Sequence, residues 1–322
     1  MKKFMRRSYI LGLALLAIVP ACGEDSNPAG PAHRQRIVFV SSRSTILPEI
    51  YVMNADGTGQ IRLTYNAAGS GEPSWSPDGS HIVFDRRWQD ATQRWWSGIF
   101  RMKDDGSEEV CIDSIADVFR VSPRVSPDGS KIAFTQLASG FEVWVMNADG
   151  SGAVNLTPDP EQGAYPDWSP DGTRIAYGRW DSSIGWRIYT MKSDGSDTVK
   201  VVETGVTSSH QVQPRWSHDG TRIAYADNRG SGSLQMEWIY VVHSDGTNPT
   251  PVTPLTDGYR DHPSWSPDDR KLAYRDNYRD GRVGDGEIYT IGVDGSGETN
   301  VSRFPAAHDI TPDWGPPRAR SR

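Results

Sequence analysis

Apolar residues along this chain come in short runs, and no stretch of the repeating region keeps a helical period. The runs recur as triplets: Ile37-Val38-Phe39, Ile82-Val83-Phe84, Ile132-Ala133-Phe134, Ile175-Ala176-Tyr177, Ile223-Ala224-Tyr225 and Leu272-Ala273-Tyr274. Each predicts a short strand, because β-branched and aromatic residues sit between turn-forming clusters. All but the first follow the phrase Trp-Ser-Pro-Asp-Gly or a variant of it, led by Trp75, Val125, Trp168, Trp216 and Trp265, with a truncated copy at Trp314. The lead residues are 50, 43, 48, 49 and 49 apart. That period suits a four-stranded propeller blade and is too long for a leucine-rich or ankyrin unit.

A third element in each unit ends in an Asp-Gly pair, as in Ile50 to Gly57 and Ile239 to Gly246, and a short fourth strand such as Gln60 to Thr64 follows. Asp-Gly suits a tight hairpin, since glycine adopts positive φ freely and aspartate bonds its own backbone. The tryptophans fall where an innermost strand meets the next blade, which assigns them to inter-blade packing. The first unit lacks an innermost strand, and Thr311-Pro312-Asp313-Trp314 supplies one at the other end of the chain. The expected fold is therefore all-β: a six-bladed β-propeller of four-stranded blades, its first blade closed by the C-terminal strand, which removes exposed sheet edges.

Composition agrees with many turns and short strands: Gly 32, Pro 22, Trp 12 and 36% apolar residues. The N-terminus adds an address. Lys2, Lys3, Arg6 and Arg7 precede an apolar stretch from Ile10 to Val19, about half of what a spanning helix needs. Val19-Pro20-Ala21-Cys22 resembles the bacterial lipobox, so residues 1–21 are expected to be a lipoprotein signal peptide and Cys22 the lipidated N-terminus. Residues 22–35 are polar and rich in Pro and Gly, a flexible tether. The propeller is expected over 36–315 and a disordered tail over 316–322. Without the four basic signal residues the net charge moves from −7 to −11, a balance that disfavours nucleic acid. Cys111 is then the one cysteine of the expected mature domain besides Cys22, so no internal disulfide is expected.

The order Trp-Ser-Pro-Asp-Gly, Ile-Ala-Tyr, Ile-Tyr-x-Met-x-x-Asp-Gly is similar to the repeat of TolB-type six-bladed propellers, and the resemblance spans Arg36 to Gly315. It also resembles blades of the tricorn protease, of prolyl-oligopeptidase relatives and of some pectin-fragment lyases, so it implies a fold more sharply than a function. TolB proteins carry an N-terminal α/β domain, whereas here the tether is expected to run straight into Ile37. Val125, His218 and Asp269 depart from the phrase at positions expected to affect packing or turn shape.

Function is expected in the variable loops between strands, gathered around one mouth of the channel. Arg86, Arg87, Trp88, Arg94, Trp95, Trp96, Trp180, Trp186 and Tyr278 fall in loops between the second and third strands, and they are of the types enriched in binding hot spots. His210, His262 and His308 are expected at comparable places before the innermost strands of three units and would need to converge to bind a metal. The favoured expectation is polar rim residues without metal. Asp276 to Glu287 matches an EF-type calcium loop at positions 1, 5, 6, 8 and 12, with Asp276, Asp280 and Glu287 as ligands, but Tyr278 stands at position 3. No cofactor is otherwise implied. No nucleophile elbow, zinc-protease, dinucleotide or Walker motif occurs. The expectation is a monomeric, non-catalytic, membrane-anchored protein of the bacterial cell envelope that binds a protein partner. The alternative is an oligosaccharide-binding or polyuronide lyase-like propeller, with His and Arg at the channel mouth acting on an acidic sugar.

Overall fold

The computed structural model describes residues 35–44, 47–66, 68–158, 162–203, 210–228, 236–256, 258–279, 282–305 and 307–316. The signal segment, Cys22, the tether up to residue 34 and Asp280 lie outside them. Blade 1 contains β1 (Arg36–Ser41), β2 (Glu49–Asn54) and β3 (Ile61–Arg62); blade 2 contains β4 (Gly69–Trp75), β5 (His81–Gln89), β6 (Trp95–Lys103) and β7 (Val110–Ala116). Blade 3 has β8 (Phe119–Val125), β9 (Lys131–Leu137), β10 (Phe141–Asn147) and β11 (Val154–Asn155); blade 4 has β12 (Gly163–Trp168), β13 (Arg174–Asp181), β14 (Gly185–Lys192) and β15 (Val199–Lys200). Blade 5 has β16 (Gln211–Trp216), β17 (Arg222–Asp227), β18 (Trp238–His243) and β19 (Thr250–Pro251); blade 6 has β20 (Arg260–Trp265), β21 (Lys271–Arg279), β22 (Arg282–Gly292) and β23 (Thr299–Asn300). The last strand, β24 (Asp309–Trp314), pairs with β1 to give the order β24-β1-β2-β3, so the C-terminal strand closes the first blade.

The core lies between blades. Second strands are buried on both faces, so Val38 and Val40 pack with Trp75, Ile82 and Phe84 of blade 2, while Ile37 and Phe39 pack with Ala273, Ile288 and Val301 of blade 6. This two-sided burial explains why the triplets are apolar throughout rather than alternating. The phrase tryptophans staple neighbours: the indole N–H of Trp75 donates to the Asp313 carbonyl at 3.1 Å, that of Trp168 to Arg124 at 3.2 Å and that of Trp265 to Arg215 at 3.0 Å. The Asp-Gly turns also have an inter-blade role. A Cβ on Gly57 would lie 2.1 Å from the Val301 carbonyl oxygen, and one on Gly246 2.1 Å from that of Val201.

Two departures from the phrase turn out to be partners. Proline has no N–H to satisfy, whereas His218 in its place does. Asp269, standing where the next phrase has glycine, accepts from the backbone N–H groups of His218 and Asp219 at 2.9 Å each and pairs with His218 Nδ1 at 2.9 Å. The two changes form one lock between blades 5 and 6.

Candidate functional site

Each innermost strand is broken by a bulge where the register shifts against its neighbour. Just before a proline, Glu72, Ser122, Tyr165, Gln213, His262 and Thr311 take positive φ between 37° and 58°. Proline cannot donate to the ladder, and a bulge re-aims the adjacent side chain. Non-glycine residues in this region are strained and persist only where packing imposes it. Their partners are cross-blade: Ser122 Oγ donates to the Glu72 carboxylate, and His262 N–H donates to Gln213 Oε1 at 2.9 Å.

Buried carboxylates gather near this ring. Burial, then Glu72, pushes Asp85 up to about 8; burial, then Asp261, pushes Glu237 up to about 8. Burial acts on Asp261 in the same direction, but His262 and Arg275 outweigh it and hold that carboxyl below its ordinary value. Arg275 Nε donates to Asp261 at 2.7 Å, and His262 Nδ1 lies 2.9 Å from the same carboxylate.

Beyond the ring the second and third strands run further than expected and form long hairpins, so Arg86, Arg87 and Trp88 lie on β5, Trp95 and Trp96 on β6, Trp180 on β13, Trp186 on β14 and Tyr278 on β21 rather than in loops. Arg86 is 5% exposed, and its guanidinium is engaged by Glu109 at 2.5 and 2.9 Å over the Phe100 ring. Arg87 stays exposed beside Phe119. Trp88 and Trp96 stack at 6.3 Å, Trp96 donates to Asp90 at 2.9 Å, and Arg94 pairs with Asp117 at 2.7 Å. Trp95 is 48% exposed and, with Arg87, Pro48, Phe119 and the buried Asp85, lines a groove of about 480 Å³ that runs over blade 2 from blade 1 to the start of blade 3. A second cluster joins Trp180, Trp186, Phe141 and His210, with Trp180 stacked on His210 at 5.9 Å and 37% exposed. Tyr278 lies on β21 opposite Val283.

The histidines occupy different surroundings. His210 receives the Trp186 N–H at 3.5 Å, His262 sits at the bulge of β20, and His308 Nε2 pairs with Asp285 at 2.8 Å. Among the described residues no three His, Cys, Asp or Glu side chains stand together as a metal site. Asp276 and Glu287 face each other across the β21–β22 hairpin, Asp276 bound by Arg260 Nε at 2.9 Å and Glu287 by the Ser302 hydroxyl at 2.8 Å. Sequence reasoning missed the strained ring, although its mark, a proline two residues before each phrase at Pro73, Pro123, Pro166, Pro214, Pro263 and Pro312, is plain in the chain.

Comparison with known proteins agrees with this architecture. An uncharacterized protein of Agrobacterium fabrum is 32% identical over 146 residues, 41% of this chain and 47% of that protein. The Tol-Pal system protein TolB of Anaeromyxobacter dehalogenans is 32% identical over 121 residues, 37% of this chain and 26% of its own length. The chain thus matches less than half the length of either relative. The crystal structure of TolB from Acinetobacter baumannii superposes with a TM-score of 0.70 at 20% identity, covering 88% of this chain and 67% of that one, a likeness of fold. The sequence profile described as the TolB beta propeller domain matches residues 117–318. With well over half of its length matched by that profile and six blades of four strands, the chain belongs to the TolB β-propeller family.

Proposed function

We propose that this protein is a lipid-anchored, non-catalytic scaffold of the bacterial cell envelope that binds a protein partner through the face carrying its second-to-third-strand loops. Cys22 would hold it at a membrane, and residues 22–35 would give the propeller reach. The observation that carries the proposal is the groove beside Trp95, where a half-exposed indole, Arg87 and Phe119 stand over a buried carboxylate. Aromatic and arginine side chains on a rigid strand hairpin offer large contact area at little entropic cost, as hot-spot residues do. The likeness to Tol-Pal system TolB proteins supports an envelope setting. The oligosaccharide alternative asks for several histidines and arginines acting together, whereas His210 and His308 stand in separate surroundings and only His262 shares a carboxylate, Asp261, with an arginine, Arg275.

Trp95→Ala combined with Trp180→Ala is expected to lower capture of the partner from envelope extract at least tenfold. Both side chains are part-exposed, so each substitution should cost less than the roughly 3–5 kcal/mol of a buried tryptophan, and the double variant's melting is measured alongside. Undiminished capture by a folded double variant would refute the proposal.

A further inference from the structure

One residue past each bulge proline, the innermost strands carry a second ring: Ser74, Arg124, Asp167, Arg215, Ser264 and Asp313. These side chains line a cavity of about 240 Å³ at the opposite end of the channel, between the phrase turns, with Pro77, Pro127, Pro170 and Pro316 also in its wall. Asp167, Ser264 and Asp313 accept the backbone N–H of the next blade's tryptophan at 2.7 to 2.8 Å. Arginine cannot accept, so Arg124 and Arg215 break the pattern.

Arg124 is 6% exposed and Arg215 7%. Each donates one hydrogen bond to the carbonyl of its own preceding proline, at 2.8 and 3.1 Å, and the Nε–H of each has no hydrogen-bond partner. The indole N–H groups of Trp216 and Trp314, in the same wall, have none either. Among the described residues lining this cavity, the buried unpartnered groups are therefore all donors. A buried donor left unmet is costly, and more so where it is charged. The nearest carboxylate, Asp167, stands 3.9 Å from Arg124 Nε. Burial pushes the Asp167 carboxyl up to about 7 and raises that of Asp313, which disfavours the charged form of both.

The approach to the cavity narrows the choice of anion. The phrase aspartates Asp78, Asp128, Asp171 and Asp219 are exposed and directly follow the lining residues Pro77, Pro127, Pro170 and His218. They would repel a uniformly acidic segment and favour basic groups beside the anion.

We propose that this cavity receives a single carboxylate from a peptide segment whose neighbouring residues are Lys or Arg, the carboxylate bonding to Arg124 and Arg215 and the cations facing the aspartate rim. This site lies on the face opposite the Trp95 groove and does not depend on it.

Calorimetric titration of the full chain with acetyl-Lys-Glu-Lys-amide and with its neutral isostere acetyl-Lys-Gln-Lys-amide tests the proposal. The glutamate peptide is expected to bind at least tenfold more tightly, and Arg215→Gln to abolish that ratio while Arg215→Lys retains part of it. Equal binding of the two peptides by the unaltered protein, or none, would mean that water alone fills the cavity and would overturn the proposal whatever the variants do. Binding of galacturonate without the glutamate peptide would overturn it in favour of a sugar acid. A ratio unchanged in folded Arg124→Gln and Arg215→Gln variants would place the carboxylate elsewhere.

Discussion

A chain ending at His308 is expected to show no cooperative thermal transition and to elute from a sizing column as aggregate. The loss reaches three blades at once. β24 forms the innermost strand of blade 1 through the pairs Ile37↔Trp314, Val38↔Asp313, Val40↔Ile310 and Ser41↔Asp309. Trp314 belongs to the cluster joining blades 6 and 1, and its N–H donates to Ser264 at 2.8 Å. Asp313 accepts from the backbone N–H of Trp75 at 2.8 Å, tying blade 2 to the same strand. Deleting one buried tryptophan side chain costs about 3–5 kcal/mol, against a total stability of about 5–15 kcal/mol. Here a whole strand goes as well: β1 is left as an open edge that can pair with other chains, and blade 6 loses the strand packed on its face. Circular dichroism melting checks this, and a truncated chain that melts with the parent would contradict ring closure.

Gly246→Ala should be among the most damaging single-methyl changes in the scaffold, alongside Gly57→Ala, whose Cβ would come equally close to a backbone oxygen. The φ of Gly246 is +87°, a conformation that costs an L residue about 1–2 kcal/mol. The new Cβ would lie 2.1 Å from the Val201 carbonyl oxygen, a backbone atom of the preceding blade that cannot rotate away. Overpacking of this kind adds about 1–3 kcal/mol, for a total of about 2–5 kcal/mol. Gly129→Ala is the control: φ is +73° there too, but nothing lies within 4 Å, so only the conformational cost applies. Denaturant midpoints of the two variants should separate clearly, and coincident midpoints would show that the blade contact does not matter.

The repeat made the architecture legible because each blade poses the same packing problem and solves it with the same residues. Ile, Phe or Tyr in the triplets, Trp in the phrase and Asp-Gly at the turn each mark a position by chemistry. What stayed hidden depends on ring closure. His218 and Asp269 look like unrelated departures in adjacent units and become one lock only when their blades touch. Arg86 looks like a binding residue until Glu109, on the loop leading into β7, is seen to engage it. The bulge prolines were visible, but proline inside a strand argues against that strand, and only the sixfold repetition of positive φ explains why it is tolerated here. His262 illustrates the same limit: it falls at the bulge of β20, whereas His210 and His308 immediately precede their innermost strands.

Under the proposed function the repeated residues build the ring and the variable residues of the hairpin face meet the partner. Site-specific photo-crosslinking in intact cells tests it most directly, with the probe placed at Trp95 in the groove or at Asp149 in an exposed turn of the other face. The predicted result is a discrete crosslinked protein from position 95 that is lost when Trp180→Ala and Arg87→Ala are added, and none from position 149. The same partner crosslinking from position 149 and not from 95 would contradict the assignment of the loop face.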